Sequence, residues 1–266
     1  MHSTLTTLLD RLDRSSVSEA EVIPWGCPVL SFGNLAESRV ATLGLNPSNR
    51  EFVDGIGIEL SGAARRFHTL ASLGLTSWSE ASAKHLEQIL NNYAEYFDTN
   101  PYDTWFKRLD KVVAGAEASY YRATNRACHL DVVPFATGRK WSELTRIQRS
   151  ALAEAASDTL AVLLRDSPVR VLILNGMSVV QHFKKIALVD LREEIMPDWS
   201  LRRRNRAPVP GIGYSGIVDS IGRVDLHRQL LVLGFNHNLQ SSFGVTREVV
   251  GAIRDWIGST IRASSY

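Results

Sequence analysis

Short apolar runs and amphipathic stretches alternate along the chain. Four apolar runs are bounded by polar or turn residues, which is typical of strands buried on both faces of a parallel sheet; they cover residues 39–45, 127–133, 169–174 and 229–235. Between them, apolar residues recur at helical spacing. The predicted helices cover residues 62–73, 79–96, 103–114, 144–164 and 177–186, with a last helix capped by Thr246. This alternation predicts an α/β fold, a three-layer α/β/α sandwich with a central, mostly parallel four-stranded sheet.

Two segments lie outside this pattern. Residues 1–15 carry Asp10 and Asp13 within an apolar repeat, which indicates an amphipathic helix rather than a signal peptide. We therefore predict a single domain over residues 1–266, with an N-terminal helical extension at 1–36 and the catalytic core at 37–262. The segment 199–216 is rich in arginine, proline and glycine, and we interpret it as a basic surface loop.

The amino-acid composition limits which kinds of ligand and cofactor we expect the protein to bind. The 30 Lys and Arg nearly balance the 28 Asp and Glu, so any nucleic-acid surface must come from local clustering. The two cysteines, Cys27 and Cys128, are too few for a disulfide framework or an iron–sulfur cluster, and we expect thiols, with Cys128 in the core. Histidine and cysteine show no metal-ligand spacing, so we predict no metal and no cofactor.

No apolar run reaches membrane-spanning length. We expect a cytoplasmic protein with no membrane contact and no evident obligate protein partner.

Polar segments follow three of the predicted strands. The first strand runs into residues 46–50, the second encloses Asp131 and ends at 134–138, and the fourth runs into 236–242. In open α/β sheets, ligands bind at the carboxyl ends of the strands. We therefore expect these three segments to meet at one functional site.

The order and spacing of these motifs resemble those of the uracil-DNA glycosylase superfamily. Residues 44–49 (Gly-Leu-Asn-Pro-Ser-Asn) are similar to its first motif, in which a turn after a strand positions the attacking water. Residues 232–237 are similar to the strand that delivers the second motif, a histidine followed by a loop that enters the DNA minor groove. Residues 129–133 match the strand on which many members carry a base-reading Asn, and residues 171–176 match the family's third strand. The resemblance implies a DNA glycosylase that hydrolyses the N-glycosidic bond of a base flipped out of double-stranded DNA.

This resemblance assigns two catalytic residues. Asn46 orients the water, although a neutral amide is a poor proton acceptor. The site must then depend on stabilisation of the departing base, and His237 is the expected donor to the base O2. The alternatives are a simple turn-forming role for Asn46 and a structural role for His237.

Three residues are candidates for base recognition. The carboxylate of Asp131 complements the N4 amino group of cytosine; its alternative role is to cap a loop or pair with an Arg. Ser48 stands where the strict uracil enzymes carry a bulky aromatic, so it leaves room beside the base 5-position. Phe52 is the candidate for stacking, with Phe67 as the alternative. Together they suggest a 5-modified cytosine. Resembling proteins include antiphage glycosylases that excise glucosylated hydroxymethylcytosine, which implies a defence role.

A further set of residues is expected to contact DNA. Leu239 and Gln240 are expected to fill the hole left by the flipped base. The expected contacts to the rest of the DNA are Asn49, Arg50, Asn238, Ser241, Ser242, Arg203 and Arg204. The alternative for the arginines is a solvated surface loop.

The absence of Lys from the three motif segments predicts a monofunctional, hydrolytic enzyme without a Schiff-base step. Two other functions remain open. One is a uracil or mismatch repair glycosylase of the same fold. The other is a non-catalytic nucleotide-binding module, which is disfavoured because no Gly-x-Gly-x-x-Gly or P-loop follows a strand.

Overall fold

A mixed, six-stranded sheet forms the centre of the described structure. The computed structural model describes residues 1–12, 17, 19–99, 103–203, 206–240 and 242–264. Its strands are β1 (Val40–Gly44), β2 (Ala127–Asp131), β3 (Val171–Asn175), β4 (Arg192–Arg203), β5 (Arg206–Ile221) and β6 (Val224–Phe235). The spatial order is β2-β1-β3-β6-β5-β4. The first four in this order are parallel, whereas β5 and β4 run antiparallel to their neighbours.

The four predicted strands are confirmed as the parallel part of the sheet. All five residues of β1, β2 and β3 are buried, as expected for strands covered on both faces. The prediction of four strands is wrong in number, because β4 and β5 extend the sheet into a mixed one. The interpretation of residues 199–216 as a basic surface loop is also wrong, because its described residues, 199–203 and 206–216, belong to these two strands.

Close packing explains why a glycine- and proline-rich segment forms a strand. A Cβ at Gly211 would overlap Cβ of Trp199 on the paired strand, so only glycine permits this approach. Trp199 is 1% exposed and packs edge-on against Trp256, at 5.3 Å between ring centroids. Pro208 and Pro210 precede Gly213, the first β5 residue paired with β6. They therefore lie where β5 has a strand on one side only, which proline tolerates.

Strands β4 and β5 continue beyond the end of β6 as a hairpin. Gly213 of β5 pairs with Phe235, the last residue of β6. The preceding residues of β5, 206–212, therefore extend past the carboxyl end of β6, by roughly 20 Å at about 3.3 Å per residue. We call this projection the β-arm, formed by residues 195–203 and 206–212. It leaves the sheet at the edge where β6 ends.

Eight helices accompany the sheet in the described parts of the chain. They are α1 (His2–Leu12), α2 (Leu70–Leu73), α3 (Ala83–Ala94), α4 (Asp103–Val113), α5 (Arg146–Ala156), α6 (Thr159–Arg165), α7 (Met177–Ala187) and α8 (Arg247–Ala263). Gly213 faces Trp256 of α8, whereas the hydroxyl of Tyr214 lies 3.5 Å from the Met177 sulfur of α7. Neighbouring strand residues point to opposite faces, so helices cover both sides, as predicted for an α/β/α arrangement.

The predicted helices are largely confirmed. Residues 144–164 form two helices instead of one, separated at Ser157, which has φ 42°. Residues 62–73 contain only a short turn and α2. The amphipathic N-terminus is helical, with Leu5, Leu8, Leu9 and Leu12 buried in the core.

Both cysteines are buried, and Cys128 lies in the core as predicted. Burial raises the pKa of each thiol to about 12, so both stay protonated at neutral pH. None of the described helices combines the length and apolar character needed to cross a bilayer.

Candidate functional site

A cleft of about 1100 Å³ opens at the carboxyl ends of the parallel strands. Its walls contain the segments that follow β1, β2, β3 and β6, together with the start of α7 and part of α4. The expected meeting of three polar strand ends is confirmed in this respect: residues from all three segments line the same cleft. Parallel strands produce this convergence because their carboxyl ends lie at one edge of the sheet.

The inner part of the cleft is built around a glycine. Gly44 at the end of β1 pairs directly with Asp131 at the end of β2. A Cβ at Gly44 would overlap Oδ1 of Asp131 and lie 2.9 Å from Nε2 of His129. Only glycine leaves this space for the two side chains. The side chain of Asp131 is 3% exposed and reaches the cleft wall.

Hydrogen bonds behind Asp131 form a chain that leads from Tyr120 through Thr42 to His129. Burial raises the pKa of Tyr120 well above its ordinary value of 10, so the phenol keeps its proton. Its hydroxyl lies 2.6 Å from Thr42 Oγ1, which in turn lies 2.7 Å from His129 Nδ1. If Tyr120 donates to Thr42 and Thr42 donates to Nδ1, the remaining ring proton is on Nε2. This Nε2 lies 3.6 Å from Oδ1 of Asp131.

In the part of the chain that the structure describes, the charged partner seen for the Asp131 carboxylate is His129. A distance of 3.6 Å is too long for a good hydrogen bond, and the contact is electrostatic. A carboxylate held in this way still has oxygen lone pairs for a ligand. The arrangement fits a group that accepts hydrogen bonds from a molecule in the cleft.

Asn46 follows β1 and has a fixed amide orientation. Its Nδ2 donates to Thr137 Oγ1 at 2.9 Å and approaches the carbonyl of Phe135 at 3.4 Å. Thr137 donates its own proton to the Arg139 carbonyl at 2.7 Å, so it can only accept from Asn46. The donor side of the amide is thus used within the protein. Asn46 lines the cleft, and Oδ1 remains as an acceptor, with no donor to it among the described residues.

A second buried carboxyl lines the same cleft. Glu51 ends a short 3₁₀ turn, Asn49–Glu51, which Ser48 caps by accepting from the Arg50 N–H at 3.2 Å. Glu51 is 2% exposed, and Tyr96 donates to its Oε2 at 2.8 Å. Burial raises the pKa of this carboxyl from its ordinary value of 4.5 to about 7. Sequence reasoning missed Glu51, because no local feature distinguishes it from the less buried acids of the same loop, Asp54 and Glu59.

The aromatic groups of the cleft differ from those predicted. Phe52 is 1% exposed and is absent from the cleft wall; its ring packs 6.1 Å from Trp25 and 5.9 Å from Phe67. Core packing covers the ring of Phe52, so the structure does not place it where the predicted stacking on a base would need it. Phe67 is buried too. Trp105 is half-buried in the cleft wall, with its ring 5.1 Å from that of His129.

The structure places His237 away from the cleft. Its side chain is buried, and Nε2 lies 2.7 Å from the carbonyl oxygen of Trp199 on β4. Desolvation lowers the pKa of His237, so the neutral ring donates Nε2–H to this carbonyl. The predicted contact with a departing base does not fit this geometry, because the donor is already used by the β-arm.

The neighbouring Asn236 binds the same hairpin. Its Oδ1 accepts from the Ile212 N–H at 2.9 Å, and its Nδ2 donates to the Pro210 carbonyl at 2.8 Å. Asn236 and His237 together clamp the β-arm to the end of β6.

The loop after His237 is anchored to the protein. Leu239 is fully buried, and Gln240 accepts from Asn175 at 2.8 Å while donating to the Trp105 carbonyl at 3.2 Å. The wedge role predicted for Leu239 and Gln240 is not supported, since both side chains face the protein. Asn238 and Ser242 do line the cleft. Ser241 lies outside the described residues.

Four basic residues lie in the cleft wall together with the acidic residues Asp54 and Glu143. The basic residues in its wall are Arg50, Arg139, Lys140 and Arg149. Asn49 is also in the wall, and its amide donates to the Gly138 carbonyl at 3.1 Å. Arg203 is exposed near the tip of the β-arm, while Arg204 lies outside the described residues. Within the described ranges, no three His, Cys, Asp or Glu residues are grouped so as to hold a metal ion.

Ser48 is an exposed residue of the cleft wall. The wall also includes Trp141 and His182, whose rings meet edge-on at 5.6 Å. Comparison with known proteins does not assign the chain to a family. No protein-family model matches it, and no curated protein matches it in sequence.

Proposed function

We propose that this protein is a DNA glycosylase of the uracil-DNA glycosylase superfamily that acts on a flipped, 5-modified cytosine. One observation carries the proposal: Asn46 and Asp131 lie at the ends of two adjacent parallel strands and line one cleft. The first residue offers a fixed acceptor for water, and the second a fixed acceptor for the base. Hydrolysis of an N-glycosidic bond needs these two functions on either side of the sugar–base bond.

The proposed roles follow from the geometry. Asn46 Oδ1 accepts a hydrogen bond from the water that attacks C1′ of the sugar. Asp131 accepts from the N4 amino group of the base, a pairing worth about 1–3 kcal/mol of discrimination. Trp105 is the half-buried aromatic against which the base stacks. The loop that carries His237 still contributes Asn238 to the cleft wall, where its Oδ1 accepts from the Gln240 N–H at 3.0 Å.

The size of the cleft supports a modified base. Its volume of about 1100 Å³ is at the upper end of ligand sites, which typically measure about 300–1,000 Å³. Ser48 is a small, exposed residue of the wall, and Trp141 and His182 also line it. A bulky 5-substituent such as that of glucosylated hydroxymethylcytosine fits this description, and such a substrate implies defence against phage DNA.

The charge distribution supports double-stranded DNA as the partner. Four basic residues line the cleft, and the β-arm carries exposed Arg202 and Arg203 at the same edge of the sheet. Basic groups on one edge can bind phosphates even though the net charge of the chain is only +2.

A panel of duplexes tests the proposal. Each would carry one central cytosine, hydroxymethylcytosine, glucosylated hydroxymethylcytosine, uracil or mismatched thymine, and the released base would be detected by mass. We expect release from a 5-modified cytosine and a loss of about 10²–10³ in rate for Asn46→Ala. Borohydride should trap no covalent adduct, although Lys140 lies at the exposed rim of the cleft.

Release of uracil or thymine alone would instead favour a repair glycosylase. The absence of release from every duplex, together with tight nucleotide binding, would favour a non-catalytic module. Either result would refute the proposed function.

A further inference from the structure

Glu51 has no role in the reaction described so far, although it shares the cleft with Asn46 and Asp131. Buried carboxyl groups are rare unless they are paired. Glu51 has two partners: Arg66, whose Nη1 lies 3.8 Å from Oε2, and Tyr96, whose phenol donates a hydrogen bond to the same oxygen. Both favour the ionised carboxylate, but desolvation by burial is the larger effect and raises the pKa of Glu51.

The neighbouring charges set the protonation of this carboxyl. Desolvation favours the protonated form, and the negative charge of Asp131 acts in the same direction. The Tyr96 hydrogen bond and the positive charge of Arg66 favour the ionised form. His129 stands beside Asp131 on the far side. With a pKa of about 7, Glu51 keeps its proton in about half of the molecules at neutral pH.

We propose that Glu51 is a further catalytic residue, the acid that protonates the departing base; this inference rests on the proposed glycosylase function. When the C1′–N1 bond breaks, its electron pair goes to the base, and the proton of Glu51 moves to ring nitrogen N3. Water held by Asn46 forms the new C1′–O bond and releases a proton to solvent through the open cleft. Glu51 then regains a proton from solvent.

The departing base needs a proton donor, and His237 cannot serve because its N–H donates to the β-arm. Glu51 supplies the missing donor. A cytosine derivative is a poor leaving group as an anion, and the ionised Asp131 beside it opposes further negative charge. Protonation at N3 removes that charge. N3 adjoins the N4 amino group, so an acid that shares the cleft with Asp131, and whose pKa is raised by the charge of Asp131, can serve the same edge of the base. General acid catalysis of this kind contributes typically ~10²–10⁴ in rate.

The test is the pH dependence of base release under single-turnover conditions between pH 5 and 9. Because the acid form is lost as pH rises through its pKa, the rate of the parent protein should fall about tenfold per pH unit above about 7. Glu51→Gln cannot donate a proton, so its rate should fall ~10²-fold or more and lose this alkaline decline. Tyr96→Phe removes the hydrogen bond that favours ionisation, so the decline should move to higher pH. Glu87→Gln, which changes an exposed glutamate on α3, is the matched control.

The outcomes separate this inference from the function on which it rests. If the parent releases a base but its rate rises with pH through 7, or if Glu51→Gln keeps the parental rate and profile, the acid role is wrong and the glycosylase stands. The same conclusion follows if Tyr96→Phe leaves the decline in place, and this variant covers the case in which Glu51→Gln does not fold. If no duplex releases a base, the proposed function fails and the acid role fails with it.

Discussion

Gly44 and Asp131 are paired across β1 and β2, and the absence of a side chain on the first makes room for the carboxylate of the second. His129, two residues before Asp131, occupies the same space with Nε2. The positions of two polar side chains, Asp131 and His129, thus depend on the absence of a Cβ at Gly44. Glycine is therefore required at position 44 for a steric reason, whatever geometry the Gly-Leu-Asn-Pro turn adopts.

Gly44→Ala should displace Asp131 and His129 and abolish base recognition. The new Cβ would overlap a carboxylate oxygen held in a close-packed interior. We expect a loss of at least ~10²-fold in base release. The matched control is Gly251→Ala in α8, where a Cβ meets nothing within 4 Å; it should stabilise the protein by roughly 0.5–1 kcal/mol. Full activity of Gly44→Ala in the duplex assay would contradict the placement of Asp131 in the binding site.

Asp131→Asn and Ser48→Tyr should change substrate choice on different edges of the base. An amide at position 131 can donate to O4, so Asp131→Asn should weaken release of the cytosine derivative and admit uracil. Ser48→Tyr should close the space beside the 5-position and spare only unmodified bases. Parallel rates on uracil, cytosine, hydroxymethylcytosine and its glucosylated form would separate the two effects. Equal rates for parent and Asp131→Asn on all four would rule out the cytosine assignment.

His237→Ala should loosen the β-arm. The substitution removes the hydrogen bond to the Trp199 carbonyl, so amide hydrogen exchange in residues 195–203 should become faster, while α3 exchanges as before. His237→Gln retains an amide donor and should recover part of the protection. If exchange in the arm is unchanged while base release falls ~10²-fold, His237 acts directly on the base, and its assignment as a clamp is wrong.

Replacing Arg202 and Arg203 by alanine should weaken DNA binding and reduce its salt dependence. Each lost phosphate contact lowers the slope of log K against log salt by about 1. Binding would be measured by fluorescence anisotropy between 50 and 200 mM salt. Arg262→Ala is the control, since this exposed residue is in the last turn of α8, at the far end of a 17-residue helix that begins near the cleft edge. An unchanged slope for the double variant would exclude the arm from the DNA interface.

Glu51→Gln should make the protein more stable at alkaline pH. The folded-state pKa of about 7 lies above the ordinary value of 4.5. The stabilisation from the protonated carboxyl is therefore full below pH 4.5 and is lost as pH rises through 7, by roughly 3 kcal/mol in total. The melting temperature of the parent protein should fall as the pH rises over this window. That of Glu51→Gln should not show this fall, because the variant has no carboxyl at position 51. Parallel curves for the two proteins between pH 5 and 8 would show that burial does not perturb this group.

The parallel sheet and most of the helices were predictable from the sequence. A short, mostly apolar run such as β1 (Val40–Gly44) has few alternatives to a buried strand, and helical spacing is equally local. The meeting of Asn46, Asp131 and Asn238 at one cleft follows from the same information, because parallel strands bring their carboxyl ends to a single edge. The sequence alone therefore predicted that these polar residues meet at the cleft.

Tertiary structure alone decided the β-arm, the direction of His237 and the burial of Glu51. The arm forms because Gly211 and Gly213 allow β5 to pack over Trp199, a contact that local turn signals in a glycine- and proline-rich segment obscure. His237 binds a carbonyl 38 positions away, and Glu51 binds a phenol 45 positions away. A side chain's partners and its exclusion from water depend on segments distant in sequence, whereas periodicity reports only on neighbours along the chain.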